Sequence, residues 1–126
     1  EINDLTKSVR FAHTQGYREV LILGATGLRE DHTLGNISLL MDYAHLFKRV
    51  EMLSDYGLFT PILETTTFAS YAEQQISISV LYPIRRRKLT SWWQGTLNEA
   101  LGDQFTVTLS PDCRVIIYRE ASHTKE

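Results

Sequence analysis

Residues 24–36 carry the side chains in this sequence that are best suited to chemistry on phosphates. A glycine at the end of an apolar run lets the backbone approach a ligand, and the start of a following helix offers N–H groups and a positive dipole end. Arg29 adds a planar cation that can grip phosphate oxygens, and Asp31 adds a hard oxygen ligand for Mg²⁺. The segment therefore predicts a site for a metal-bound nucleotide.

Two other interpretations of this segment stay open from the residues alone. Gly24 and Gly27 are compatible with plain turns, and Asp31 with a helix N-cap. Residues 24–27 also partly match the glycine-rich fingerprint of Rossmann nicotinamide-dependent enzymes. Against that match, the third glycine would fall at Glu30, and no acidic residue clearly follows a second strand.

The spacing of apolar residues predicts the elements that position this segment. Residues 2–15 and 31–47 are predicted as amphipathic helices, the second capped by Asp31. Residues 19–23 and 49–53 are predicted as strands. The predicted inner face of the second helix comprises Leu34, Ile37, Leu40, Met41 and Ala44. Helix, strand, glycine loop, helix and strand in this order predict a three-layer α/β unit with parallel strands.

Beyond residue 57 the pattern changes to short runs rich in Thr, Ile, Val, Phe and Tyr. These runs cover residues 58–64, 66–70, 74–81, 86–93, 103–109 and 113–119. They lack helical period and predict an antiparallel β-sandwich or β-barrel. The predicted fold class is therefore α/β plus all-β: residues 1–57 as a three-layer unit with a parallel sheet, and residues 58–126 as an antiparallel β-domain.

Composition restricts the class of function. With 126 residues, 43% hydrophobic and 22% charged residues and a net charge of −2, the chain is predicted to be globular, without the positive field that nucleic acid requires. Its longest apolar runs are about six residues, whereas a membrane span needs about twenty. A single cysteine, Cys113, favours a reducing, cytoplasmic setting. The chain begins without Met or a signal peptide, and we expect its start to be missing.

Three blocks resemble the thiamin pyrophosphokinase family and occur in the family's order. Residues 24–36 are similar to its Gly-Ala-x-Gly-x-Arg-x-Asp-His-Thr-Leu-x-Asn string, in which a strand enters a helix. Residues 3–7 are similar to the end of its Asp-x-x-Thr-Asp-Leu-x-Lys motif, with Asn3 in place of the usual Thr. Residues 91–99 resemble the region of the bacterial members that ends in Ser-x-Asn or Leu-Asn.

Two family motifs are incomplete in this sequence. The family's upstream Gly-Asp-x-Asp-Ser cluster, which contributes much of its metal site, has no counterpart. Of its Gly-Leu-Lys-Trp/Tyr-Pro block, only residues 81–83 are found. A non-catalytic module that binds a nucleotide or thiamin is therefore the alternative function.

The resemblance implies a thiamin diphosphokinase that transfers the pyrophosphoryl group of ATP to the thiamin hydroxyl, with Mg²⁺, by in-line displacement. The products would be thiamin diphosphate and AMP. Residues 1–57 would be the C-terminal part of a Rossmann-like three-layer domain that binds ATP and carries catalysis, and residues 58–126 would be the thiamin-binding antiparallel β-sandwich domain. A homodimer with the active site at its interface is implied, with no nucleic acid and no membrane partner.

The resemblance also implies roles for individual residues. The implied catalytic residues are Asp4, Arg29 and Asp31, with Asp4 and Asp31 as metal ligands. The implied ATP-binding residues are Lys7, Gly27, Arg29, His32, Thr33 and Asn36. The implied thiamin-binding residues are Tyr82, Trp92, Trp93, Thr96 and Asn98.

Overall fold

The computed structural model describes residues 3–27, 29–80, 98–109 and 114–121. The elements in chain order are α1 (Asp4–Thr14), β1 (Glu19–Leu23), α2 (Glu30–Tyr43), β2 (Arg49–Leu53), β3 (Gly57–Ile62), β4 (Thr66–Ala69), β5 (Gln75–Val80), β6 (Asn98–Glu99), β7 (Gln104–Val107) and β8 (Val115–Glu120). Six strands form a mixed sheet in the order β1-β2-β3-β8-β5-β6, and β4 pairs with β7.

Both predicted helices are present, with shifted ends. α1 begins after Asn3, whose side-chain oxygen accepts a hydrogen bond from the backbone N–H of Thr6 at 2.8 Å. α2 ends at Tyr43, four residues before the predicted position 47. Its N-cap is Arg29, which makes no side-chain capping bond, so the prediction that Asp31 caps this helix is wrong.

The inner face of α2 agrees with the prediction at Ile37, Leu40, Met41 and Ala44, which pack in the core, and differs at Leu34. Leu40, Met41 and Tyr43 are buried, whereas Leu34 is 65% exposed. A helical period of 3.6 residues fixes which residues share a face, but it does not say how far along the helix the packing extends. Leu34, near the start of α2, lies outside the packed part of the helix.

The mixed sheet has a hydrophobic core on each face, and β8 contributes to both. Ile116 packs with the cluster that contains Val9 of α1, Leu40 of α2 and Met52 of β2. Ile117, the next residue along the strand, packs with the cluster that contains Phe68 of β4. Successive side chains of a strand point to opposite faces, so β8 joins the helical layer to the layer formed by β4 and β7.

Strand directions agree with the predicted change of architecture. β1 and β2 are parallel, with Val20 opposite Val50. All other pairs among the described strands are antiparallel. β2 also pairs with β3 across the predicted boundary, so the sheet is continuous there. The division of the chain into residues 1–57 and 58–126 stays a prediction.

The described part of the chain contains no helix that is long and apolar enough to cross a membrane.

Candidate functional site

An open cavity of about 330 Å³ lies where the parallel strands β1 and β2 end. On one side it is lined by residues of the loop after β1 and of the first turns of α2, namely Gly24, Thr26, Gly27 and Thr33. Ligands of open α/β sheets bind outside the carboxyl ends of the strands, where loops from neighbouring strands meet. The cavity therefore occupies the position in which such a fold holds a small molecule.

Two glycines shape the loop after β1. Gly24 has φ 70° and Gly27 has φ 91°, both in the left-handed region that residues with a Cβ rarely adopt. Asn36 of α2 holds this loop, because its side-chain NH₂ donates to the carbonyl of Ala25 at 3.0 Å. The predicted ATP-binding residue Asn36 thus acts within the protein as a clamp that fixes the loop against the helix.

The residue that precedes α1 also contacts Asn36. The Asn3 side chain donates to Oδ1 of Asn36 at 3.5 Å. This contact brings the first turn of α1, which carries Asp4 and Lys7, towards the first turns of α2. Asp4 is fully exposed and 4.0 Å from Lys7 Nζ, a surface pair that contributes little to stability. Both side chains are therefore accessible to a ligand that reaches beyond the cavity.

Arg29 and Asp31 form a two-point ion pair at the start of α2. Arg29 Nε donates to Oδ1 of Asp31 at 3.1 Å, and Nη2 donates to Oδ2 at 2.6 Å. The Arg29 hydrogen bond holds the pKa of the Asp31 carboxyl below its ordinary value, so the carboxylate is charged at neutral pH. The pair would break only as the pH falls through that lowered pKa. Both side chains remain largely exposed, so the guanidinium N–H groups that do not bind Asp31 are accessible to phosphate.

The other predicted ATP-binding residues lie in the same region. Gly27 and Thr33 line the cavity. His32 follows Asp31 in the first turn of α2, and its side chain is exposed. The structure thus brings together the predicted residues of the loop and of the start of α2, and the Asn3–Asn36 contact joins the start of α1 to α2.

Mg²⁺ is implied by the resemblance, and the described residues do not form a complete cage for it. Among them, no group of three His, Cys, Asp or Glu side chains is placed to hold a metal ion. Mg²⁺ often binds through one or two carboxylates together with substrate phosphates. Asp4 and Asp31 stay predicted ligands on that ground.

The opposite side of the cavity is formed by the turn between β2 and β3, which sequence reasoning missed. Ser54 closes this turn: its hydroxyl donates to the carbonyl of Gly57 at 3.2 Å and accepts from the N–H groups of Tyr56 and Gly57. The carbonyl of Tyr56 also accepts from the N–H of Ala121 at 2.8 Å. These bonds hold the turn while Asp55 and Tyr56 stay exposed towards the cavity.

Three aromatic residues of this side, Tyr56, Phe59 and Tyr118, form what we call the aromatic wall. The rings of Phe59 and Tyr118 pack with centroids 5.0 Å apart. Gly57 lets the Tyr118 ring lie close to the backbone, because a Cβ at this position would collide with that ring. Burial, with a smaller contribution from the charge of Glu120, raises the pKa of the Tyr118 phenol, which therefore stays protonated at neutral pH.

Part of this side could have been found from the sequence. Asp55 lies two residues after β2, so the expectation that no acidic residue follows a second strand was wrong. The rule that ligands bind at the carboxyl ends of parallel strands would have indicated Asp55 and Tyr56. Phe59 and Tyr118 gave no such signal, because they meet only through the pairing of β3 with β8.

The predicted thiamin-binding residues are largely untested. Tyr82, Trp92, Trp93 and Thr96 lie outside the described residues. Asn98 lies in β6, where it pairs with Ile76 of β5. Their roles stay predictions.

Comparisons with known proteins point to one family. A model described as "Thiamin pyrophosphokinase, catalytic domain" matches residues 1–53, and one described as "Thiamin pyrophosphokinase, substrate-binding domain" matches residues 57–118. No curated protein is similar enough in sequence to count as a match.

Solved structures share the fold at low sequence identity. The chain is similar to the thiamine pyrophosphokinase from Bacillus subtilis, with a TM-score of 0.77, 19% identity, and coverage of 98% of this chain and 65% of that one. For a probable thiamine pyrophosphokinase from Staphylococcus saprophyticus, the TM-score is 0.60 and the identity 21%, with coverage of 98% of this chain and 65% of that one. For the thiamin pyrophosphokinase from Candida albicans, the TM-score is 0.61 and the identity 11%, with coverage of 83% of this chain and 45% of that one. The chain thus spans 65% of the length of the Bacillus protein.

Proposed function

This chain belongs to the thiamin pyrophosphokinase family, and on that premise we propose that the whole protein transfers the pyrophosphoryl group of ATP to the hydroxyl of thiamin. The products are thiamin diphosphate and AMP. The thiamin hydroxyl attacks the β-phosphorus in line with the departing AMP oxygen. Such a reaction depends on positioning and on neutralising the charge of the phosphates, and it needs no covalent intermediate on the enzyme.

One observation supports this proposal more than the others: the cavity at the ends of β1 and β2 lies beside a glycine loop and the start of a helix. Gly24 and Gly27 keep side chains away from the ligand, and the N-terminus of α2 presents the positive end of its dipole. Arg29 stands at that start as a planar cation for phosphate oxygens. This arrangement suits the polyphosphate of ATP.

The remaining predicted residues take roles around this polyphosphate. Lys7 and His32 supply further donors, and Asp4 and Asp31 are the proposed carboxylates for Mg²⁺, which would neutralise phosphate charge when bound. Thiamin is assigned to the second half of the chain. Its proposed contacts are Tyr82, Trp92, Trp93, Thr96 and Asn98.

Two structural features belong to the same proposal. β1, α2 and β2 would be part of a Rossmann-like parallel sheet, which the parallel pairing of β1 with β2 through a helical crossover supports. The protein would act as a homodimer whose active site lies at the interface. Sedimentation of the full-length protein at several concentrations measures that assembly.

Product analysis tests the proposed reaction. The full-length protein, incubated with ATP, Mg²⁺ and thiamin, is expected to release AMP and thiamin diphosphate in equal amounts, measured by chromatography. ADP with thiamin monophosphate would contradict pyrophosphoryl transfer and indicate a simple kinase. Binding of either substrate without any nucleotide product would contradict catalysis and favour the binding-module alternative.

A further inference from the structure

The turn between β2 and β3 faces the phosphate-binding loop across the same cavity, and the proposed function gives it no role. Asp55 and Tyr56 are exposed there, and Tyr56 is 78% exposed although it is a large aromatic side chain. The turn is nevertheless fixed, through the Ser54 hydroxyl and through Ala121. A fixed turn that exposes a carboxylate and an aromatic ring towards a cavity is suited to binding a ligand.

The chemistry of this turn matches a nucleoside. In sheets of this kind, a carboxylate after the second strand can hydrogen-bond ribose hydroxyls while the loop after the first strand holds the phosphates. Asp55 has that position relative to Gly24 and Gly27. Aromatic side chains stack on the flat faces of bases, and the aromatic wall lies beside Asp55.

We propose that the turn between β2 and β3 recognises the nucleoside half of ATP, with the Asp55 carboxylate accepting hydrogen bonds from ribose hydroxyls and the aromatic wall stacking against the base. This inference rests on the proposed function, because it takes the phosphates to lie at the loop after β1. It assigns the nucleoside half of ATP to the side of the cavity that lies opposite the loop after β1.

The aromatic wall is tested with Tyr56→Ala in the full-length protein, by calorimetric titration with ATP, tripolyphosphate and thiamin. Tyr56 is exposed, so the change should not disturb folding. ATP affinity is expected to fall about tenfold, while the affinities for tripolyphosphate and thiamin stay within twofold. Tyr17→Ala is the matched control, because Tyr17 is 64% exposed and lines a different cavity.

The ribose contact is tested by comparing ATP with 2′,3′-dideoxy-ATP. The wild-type protein is expected to bind ATP about tenfold more tightly, because a hydrogen bond to a charged carboxylate is lost in the analogue. Asp55→Asn should reduce that preference to about twofold or less. Asp103→Asn, at another exposed aspartate, should leave it unchanged.

Several results would overturn the inference. If Tyr56→Ala loses affinity for ATP and for tripolyphosphate equally, the turn acts on the phosphates and not on the nucleoside. A loss of thiamin affinity with ATP unchanged would assign the wall to the thiamin ring. An unchanged ribose preference in Asp55→Asn would remove the carboxylate from the site. If the expected losses occur but the wild-type protein releases no AMP, the inference is supported and the proposed function fails.

Discussion

At the scale of single residues, the structure changes the explanation for Asp31 from a helix N-cap to a partner of Arg29. A helix cap would have explained an aspartate at the start of α2 without any function. The structure gives the N-cap to Arg29 and leaves Asp31 in an exposed ion pair with that arginine. Asp31 is therefore not the N-cap, although its Oδ1 accepts a hydrogen bond from the backbone N–H of His32 at 2.9 Å, and its carboxylate is exposed beside Arg29.

Asp31→Asn tests whether that charge serves catalysis. Turnover of the full-length protein is expected to fall at least about a hundredfold, because the polyphosphate loses a group that organises its metal and its arginine. The melting temperature should hardly change, since the ion pair is exposed. Glu30→Gln is the matched control, an exposed carboxylate in the same helical turn that should leave turnover unchanged.

Near-normal turnover of Asp31→Asn at saturating Mg²⁺ would contradict the assignment. A loss of the same size in Glu30→Gln would mean that the helix start responds only to its total charge.

At the scale of elements, a buried ion cluster joins β2 to the strands of the second half. Glu51 of β2 is buried and accepts hydrogen bonds from Thr60 of β3 at 2.6 Å and from Arg119 of β8 at 3.3 Å. Arg49 pairs with the same carboxylate at 2.7 Å. Arg119 also lies 4.6 Å from the centre of the Phe68 ring. Burial lowers the pKa of Arg119, and Glu51 opposes that effect.

Glu51→Gln is expected to reduce the free energy of unfolding by roughly 3 kcal/mol, because Arg119 would keep a mostly buried charge without its counter-ion. Urea unfolding of the full-length protein measures this change. Glu19→Gln, an exposed glutamate on the neighbouring strand β1, serves as control and should change stability by less than about 0.5 kcal/mol. Equal stability of Glu51→Gln and wild type would show that the cluster is neutral.

The elements also show how far sequence reasoning reaches. Local signals were sufficient for β1 and β2, whose apolar runs end at clear breaks, and for α1, which is amphipathic and is followed by Gly16. They could not place Leu34, because exposure depends on where the sheet ends. They also could not predict the pairing of β2 with β3, because register across two predicted domains is set by tertiary packing.

The same limit applies to the candidate site. One side of the cavity lies within one continuous segment with a specific residue pattern, residues 24–36, and Gly24, Gly27 and Thr33 of that segment line it. Its opposite side combines Ser54 and Asp55, which follow β2, with Tyr118, more than sixty residues further along the chain. Only the antiparallel pairing of β3 with β8 brings Tyr118 there.

At the scale of the whole molecule, one sheet carries both halves of the chain. β3 and β8, both from the second half, lie between the parallel pair β1 and β2 and the strands β5 and β6. The two cores meet at β8 through Ile116 and Ile117. The described part of the molecule should therefore unfold as one cooperative unit.

Ile117→Ala tests this cooperativity. Ile117 is fully buried in the second core, and the truncation is expected to cost roughly 3 kcal/mol. Amide hydrogen exchange in the full-length protein should accelerate in β2 as well as in β5, because both lie in the same sheet. Leu101→Ala, at a residue that is 99% exposed, is the control and should change neither. Faster exchange confined to β5 would show that the halves unfold independently.

The position of the nucleotide is the most direct test of the proposed site. A crystal structure of the full-length protein with Mg²⁺ and a non-hydrolysable ATP analogue is expected to place phosphate oxygens within hydrogen-bonding distance of the Gly27 backbone N–H and the Arg29 guanidinium. Phosphates bound away from the loop after β1, with the cavity between Gly24 and Tyr56 occupied by solvent, would contradict the assignment of this cavity to ATP.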